Sequence, residues 1–271
     1  MQIECGVTTE KGPVRSRNED NYLIGNQSLL EGALGESDQR VVITPCAFAV
    51  CDGMGGRGHG QCAAQTAIKS LSEYSSRLDG VPISALMNHI KTLIQKVNLE
   101  VVALKDKGAE GGTTLAFAYL SHAQIYLANV GDSRIYQYRN GNLSRESVDH
   151  NLFQELLELS AVNPNNNRHK GANELTQFLG IDPEDFIIEP HYKCLDYSDM
   201  LLLLCSDGLT SSVSEERIAR ILENPLCETM DKVSKQLVEQ AIKNGSKDNV
   251  TAMVLKIKFE SIKGGYRDEQ F

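Results

Sequence analysis

The chain has 271 residues, a length that suits one large domain with a substantial core better than two small domains. Its 27 basic and 36 acidic residues give a net charge of −9, which argues against a broad nucleic-acid surface or binding to an anionic membrane. The seven cysteines stand singly with no paired CxxC spacing, so they support neither a disulfide framework nor a zinc site and indicate a reducing compartment.

The start of the chain carries no basic segment followed by an apolar stretch. The longest apolar run, MLLLLC at 200–205, is too short to span a bilayer. We therefore expect a soluble, cytoplasmic protein.

The first predicted elements are one strand and two helices. VVITPCAFAVC at 41–51 is a β-rich run in which Pro45 indicates an edge or a break. Apolar residues then recur at helical spacing over 64–74 and again over 86–104, which predicts two amphipathic helices.

Three short strands follow, TLAFAYL, AQIYLANV and SRIYQYR, at 114–120, 123–130 and 133–139. The glycine of Gly131-Asp132 suits the first position of a type II′ hairpin turn, and Asn140-Gly141 predicts a type I′ turn. The residues 151–160 indicate a short helix, and 162–173 have no apolar period and indicate a loop.

Strand patterns return at FIIEPHY (186–192) and at 200–205, followed by a helix from Met230 to Asn244-Gly245 and a strand, VTAMVLKI, at 250–257. The final residues, 264–271, are expected to fray. Hairpin-connected strands with helices in separate blocks favour an antiparallel α+β layer fold over alternating βαβ units.

Three aspartates lie where apolar runs meet turns: Asp52 in AVCDGMGG, Asp207 in LLLLCSDGL and Asp248 in KDNVTAMVL. A folded sheet could bring all three carboxylates to one edge. Neighbouring carboxylates repel and raise each other's pKa, and hard divalent cations that prefer oxygen ligands resolve that cost. The pattern predicts a divided metal site, although each Asp-Gly or Asp-Asn pair taken alone is also an ordinary turn.

A second acidic pair, Glu19-Asp20, lies in GPVRSRNEDNY close behind Arg15 and Arg17. Such a segment is either a solvated charged loop or part of a phosphate-cleaving site. In the second case the acids support the metals and an arginine forks onto phosphate oxygens.

In this order the motifs VRSRNEDNY, DGMGG, GGTTL, NVGDSRIY, VDHN, ELTQFLG, LLCSDGL and DNVTAMVL resemble the type 2C family of metal-dependent protein phosphatases, with wording similar to bacterial members. The resemblance extends over about 250 residues. It implies a four-layer α-β-β-α sandwich, with two central antiparallel sheets flanked by helices. It also implies one phosphatase domain over 1–260 and a tail at 261–271.

The resemblance implies hydrolysis of phosphoserine and phosphothreonine in proteins by a water activated by two divalent cations, Mn²⁺ or Mg²⁺, without a phosphoenzyme. Asp52 matches the bridging ligand, Gly53 a carbonyl ligand, and Asp207 and Asp248 the remaining direct ligands. Glu19 and Asp20 match acids that reach the metals directly or through water, Arg15 matches the phosphate-binding arginine, and Asp132 matches a ligand of a possible third, weaker metal. Asp132 also fits a plain turn aspartate.

Further expectations follow from the resemblance. The partners it implies are phosphorylated proteins and a cognate Ser/Thr kinase. The acidic net charge argues against nucleic acid and membrane as partners, and we expect a monomer. A variable flap beside the site corresponds to about 161–173.

The chain departs from many relatives at Arg57 and Gln61, which replace a histidine and a glutamate, and at LTQFLG, which replaces LTRALG. These departures bear on substrate preference. His59 either replaces the missing histidine or faces solvent at the start of a helix. His150 follows Asp149 as in the family, and we expect it to have a structural role.

Two other functions fit parts of the pattern. Cys51 and Arg57 have the spacing of cysteine-dependent phosphatases, but Asp52 would place a negative charge in the anion loop, where an activated thiolate needs positive charge. A catalytically weak module that binds phosphoproteins is the second alternative, and it would be expected to have lost metal acids, which this chain keeps.

Overall fold

The computed structural model describes residues 1–25, 27–28, 37–159, 174–223 and 229–258. The loop and flap predicted between 161 and 173 and the tail predicted from 261 lie outside these residues. Among the described residues, none of the helices is both long enough and apolar enough to cross a membrane.

The described strands form two antiparallel sheets. The strands are β1 Gln2–Glu10, β2 Asp20–Ile24, β3 Gln27–Ser28, β4 Ser37–Ile43, β5 Cys46–Met54, β6 Gly112–Thr113, β7 Leu115–Leu120, β8 Gln124–Val130, β9 Arg134–Arg139, β10 Asn142–Arg145, β11 His191–Asp196, β12 Met200–Cys205 and β13 Val250–Ile257. The first sheet has the order β10-β9-β12-β13-β1-β4. The second has the order β11-β8-β7-β5-β2-β3, with β6 paired to β5.

Helices cover the outer face of each sheet. The described α-helices are α1 His59–Ser75, α2 Ile83–Val102, α3 Leu152–Glu158, α4 Asp207–Thr210, α5 Glu215–Leu222 and α6 Met230–Lys243. Helices α1 and α2 pack on the second sheet, and α5 and α6 pack on the first. The predicted four-layer sandwich is therefore confirmed.

Strands of both sheets are buried on two faces, which explains their nearly continuous apolar sequences. In β5, Phe48 and Val50 point into the core between the sheets, whereas Ala47 and Ala49 point towards α1. The small alanines let α1 approach closely. In β12, Leu202 and its alternate neighbours fill the same inter-sheet core, and the intervening residues meet α5 and α6.

The Asn140-Gly141 turn is confirmed, since both residues have positive φ values, 51° and 79°, and join the paired strands β9 and β10. The hairpin predicted at Gly131 is wrong. Strands β8 and β9 belong to different sheets, and Leu127 and Ile135 enter the inter-sheet core from opposite sides. The chain crosses from one sheet to the other because both strands bury side chains in the core between the sheets. The residues of the turn do not predict this.

Of the edge or break that Pro45 indicates, the structure shows a break: the run 41–51 divides there into β4 and β5, which lie in different sheets. One predicted strand needs correction. The strand predicted at 186–192 begins only at His191, because the preceding residues turn on Asp182, whose carbonyl accepts from the amides of Asp185 and Phe186.

The contact between β1 and α6 yields a stability prediction. A Cβ added at Gly6 would overlap the backbone of Met230, so Gly6→Ala must push the start of α6 off the first sheet. We expect the free energy of unfolding in urea to fall by about 1–3 kcal/mol. Gly56→Ala is the matched control, since a Cβ there has open space. An equal loss in both variants would contradict the close-packing explanation.

Candidate active site

Five aspartates converge at one end of the sandwich. Asp20 at the start of β2 lies directly opposite Asp52 near the end of β5. Asp207 follows β12, Asp248 precedes β13, and Asp132 lies where the chain passes from β8 to β9. Neighbouring antiparallel strands end and begin at the same edge, so these distant positions meet there. Asp52, Asp132, Asp207 and Asp248 line a cleft with a volume of about 580 Å³, and Asp20 is buried behind it.

Asp20 is held by hydroxyl groups from the first sheet. Its Oδ2 accepts hydrogen bonds from Ser206 Oγ at 2.8 Å and from Thr251 Oγ1 at 2.6 Å. The other oxygen, Oδ1, is buried without a hydrogen-bond partner among the described residues. The side chain is thus fixed in orientation while one ligating atom is left available.

The backbone around Asp52 is fixed by two threonines. Its amide donates to Thr114 Oγ1 at 3.0 Å, and its carbonyl accepts from Thr113 Oγ1 at 2.9 Å and from the Thr114 amide at 2.9 Å. Gly53 follows, with its amide bonded to the Glu19 carbonyl at 3.2 Å. A Cβ at Gly53 would collide with the Gly60 backbone, so only glycine allows α1 to begin this close to the cleft.

The carboxylates destabilise one another. Burial, and then the charges of Asp207 and Asp248, raise the pKa of Asp20 to about 7, although the hydrogen bonds from Thr251 and Ser206 act to lower it. Burial and then Asp20 raise the pKa of Asp52 well above its ordinary value. This cluster therefore favours bound positive charge, either protons or cations.

Two further aspartates, Asp132 and Asp207, show the same effect. Burial and then Asp207 raise the pKa of Asp132 to about 7. Burial and then Asp248 raise the pKa of Asp207, with a hydrogen bond from Asp52 opposing the rise. The Asp207 Oδ1 atom is buried and has no hydrogen-bond partner within the described part of the chain.

Arg15 provides positive charge at the mouth of the cleft. Its Nη2 donates to Asp248 Oδ2 at 2.6 Å, and the two side chains are 54% and 34% exposed. Arg17 and Glu19 also line the cleft, and the Arg17 guanidinium packs against Gly58. Among the residues described, no three acidic, histidine or cysteine side chains are arranged to hold a metal ion as they stand. The Asp248 carboxylate is turned towards Arg15 instead.

Asn249 is a support that sequence reasoning missed. Its Oδ1 accepts from the Glu19 amide at 2.9 Å, and its Nδ2 donates to the carbonyls of Lys11 at 2.8 Å and Arg17 at 2.9 Å. The side chain thus fastens the arginine-bearing segment to the start of β13. Its position beside Asp248 was the only sequence signal. The threonines and the serine that hold Asp20 and Asp52 lie within the motifs GGTTL, LLCSDGL and DNVTAMVL, but sequence reasoning gave them no role.

The two histidines singled out in the sequence lie beside the cleft framework. His59 Nδ1 is 3.3 Å from the Glu110 carbonyl. His150 is buried, and its Nδ1 accepts from the Gly131 amide at 3.2 Å, which fixes the turn that carries Asp132. This contact gives His150 the structural role considered for it.

Cys51 does not suit a nucleophile. Its side chain is fully buried in the core between the second sheet and α1, on the face opposite the inter-sheet core. Burial raises the pKa of the thiol, whereas an activated thiolate requires a lowered pKa. The spacing to Arg57 therefore does not form a cysteine-dependent site; the Arg57 side chain lies outside the described part.

Residues 34–244 match the family model described as protein phosphatase 2C. The serine/threonine phosphatase stp of Listeria monocytogenes is 30% identical over 256 residues, covering 92% of this chain and 93% of that protein. The crystal structure of the Mycobacterium tuberculosis serine/threonine phosphatase PstP/Ppp superposes with a TM-score of 0.79 at 26% identity, covering 96% and 100% of the two chains.

A PstP catalytic domain in complex with two manganese ions has the same fold, with a TM-score of 0.73 at 24% identity and coverage of 96% and 100%. The family match spans most of the chain. This chain belongs to the protein phosphatase 2C family.

Proposed function

We propose that this protein is a metal-dependent serine/threonine protein phosphatase whose active site is the aspartate-lined cleft. The observation that carries the proposal is the convergence of five mutually repelling aspartates beside Arg15. Family membership supports the reaction, and phosphorylated proteins are the substrates. A cognate Ser/Thr kinase, a monomeric state and a cytoplasmic location complete the proposal.

The donor set fits two hard divalent cations, Mn²⁺ or Mg²⁺. All the donors are oxygens, and the Oδ1 atoms of Asp20 and Asp207, which have no hydrogen-bond partner among the described residues, are available as ligands. We assign Asp52, the Gly53 carbonyl, Asp207 and Asp248 as direct ligands. Asp20 and Glu19 bind directly or through water, and Asp132 is assigned to a third, weaker site.

Cations bound there would supply a water nucleophile near neutral pH and offset charge on the phosphoryl group. The protein's own contribution is positioning and electrostatics. Arg15 lies at the mouth of the cleft, where a planar guanidinium can bind two phosphoryl oxygens. To do so it must leave Asp248, so a cation on Asp248 and a phosphate on Arg15 favour each other.

Substitutions distinguish this centre from thiol chemistry. Asp52→Ala removes the proposed bridging ligand and should lower kcat for p-nitrophenyl phosphate with Mn²⁺ by about 10²–10³-fold or more. Cys51→Ser should retain most activity, because the thiol is buried away from the cleft. Circular dichroism and urea melts verify folding of both variants. Loss in Cys51→Ser with retention in Asp52→Ala would overturn the assignment.

Metal removal should make stability depend on pH. The folded-state pKa of Asp20 and Asp132, about 7, exceeds the unfolded value of ~3.9, so the folded state binds more protons in between. The free energy of unfolding of the EDTA-treated protein should therefore fall as pH rises from about 5 to 8. Mn²⁺ at about 100 times its Kd should add ~2.7 kcal/mol and flatten this dependence. Urea melts across pH, with and without Mn²⁺, measure both effects; a flat metal-free profile would contradict the electrostatic explanation.

The Arg15–Asp248 ion pair makes a separate prediction. Arg15→Ala should raise KM for a phosphothreonine peptide, because a phosphate-binding group is lost. The same change should tighten Mn²⁺ binding by up to about fivefold, since an exposed ion pair no longer competes for Asp248. Calorimetric titration with Mn²⁺ measures the second effect, and Arg17→Ala is the control that leaves the ion pair intact. Weaker Mn²⁺ binding in Arg15→Ala would refute the competition.

A further inference from the structure

A second cavity adjoins the catalytic cleft. It has a volume of about 640 Å³ and shares Met54 and Gly55 with the cleft. Its other walls come from the α2–β6 connection, with Lys105 and Glu110, and from the segment 178–185. We call this cavity the side groove. A polypeptide with its phosphorylated residue in the cleft would pass the shared residues to enter it.

The far wall of the side groove is anchored to buried groups. The Asn98 side chain is 1% exposed; its Oδ1 accepts from the Gly180 amide at 2.8 Å, and its Nδ2 donates to the Ile181 carbonyl at 2.9 Å. Leu179 and Thr113 exchange two backbone hydrogen bonds of 2.9 Å each. These bonds fix the wall to α2 and β6, so the groove is preformed.

The groove combines an apolar wall with negative charge. Phe178 and Ile181 are half-buried and line it. Phe178 belongs to LTQFLG, where the chain departs from the family wording. Glu110 and Asp185 are exposed at the groove, whereas the Asp182 carboxylate is already engaged by the Glu184 amide at 3.1 Å. Three carboxylates against Lys105 leave the lining net negative.

We propose that the side groove binds an arginine or lysine side chain of the substrate polypeptide, near the phosphorylated residue. The aliphatic stem of such a side chain suits Phe178 and Ile181, and its cation suits Glu110 and Asp185. The inference rests on the proposed phosphatase function and extends it to sequence preference. The arginine cluster around Arg15 receives the phosphate, and the acidic groove receives the neighbouring positive charge.

The test uses phosphothreonine peptides in which one arginine is moved through the neighbouring positions, each paired with a glutamine peptide. The measured quantity is the ratio of kcat/KM for arginine to glutamine, which cancels any general loss of activity. In the natural protein we expect this ratio to be about five at one or more positions of the arginine. In the double variant Glu110→Gln, Asp185→Asn the ratio should fall towards one. Glu184→Gln, in the same turn but outside the groove lining, is the matched control and should keep the preference.

Binding separates this inference from the proposed function. Fluorescence anisotropy with labelled, non-hydrolysable phosphonate versions of the peptides measures a Kd for each arginine peptide and for its glutamine partner. The ratio of these two Kd values reports the arginine preference whether or not the protein turns over substrate. Absence of any phosphopeptide hydrolysis would count against the phosphatase proposal, while the Kd ratio would still decide the groove. Equal affinities at every position, a preference retained in the double variant, or an equal loss in Glu184→Gln would each overturn the inference.

Discussion

Repulsion among five aspartates at one end of the sandwich is the constraint on which the candidate site depends. Burial and mutual charge raise the pKa of Asp20, Asp52, Asp132 and Asp207, so the folded protein holds these side chains together against an electrostatic cost. Only a rigid framework maintains such an arrangement. The same repulsion creates affinity for cations, so the element that destabilises the fold is also the one suited to chemistry.

Both sheets contribute to the framework that holds the aspartates together against their repulsion. Strands buried on two faces support this edge of the sheets. The hydroxyls of Ser206 and Thr251 hold the Asp20 carboxylate, and those of Thr113 and Thr114 hold the Asp52 backbone. Asn249 then attaches the arginine-bearing segment to the same edge. Gly6 leaves room for the start of α6 against β1, and Gly53 leaves room for the start of α1 beside the cleft.

The cleft and the side groove differ in their charged residues. Arg15 and Arg17 line the cleft, whereas the side groove presents Glu110 and Asp185. This division matches a phosphorylated residue flanked by a basic one. It also gives Phe178 and the buried Asn98 a place in substrate choice, because one lines the groove and the other fixes its wall. Substrate preference would then arise from this preformed wall, while the aspartates proposed as metal ligands stay the same.

The sequence by itself determined the layer architecture, the two long helices, the Asn140-Gly141 turn and the set of acids to be gathered, because hydrophobic periodicity, turn chemistry and ordered motifs are local properties. Tertiary structure decided what depends on contacts between distant segments. It sent β8 and β9 into different sheets, and β4 and β5 as well. It also turned Asp248 towards Arg15, buried Cys51 and made Asn249 a brace. Each outcome follows from shared burial or charge between residues far apart in the chain, which no local pattern encodes.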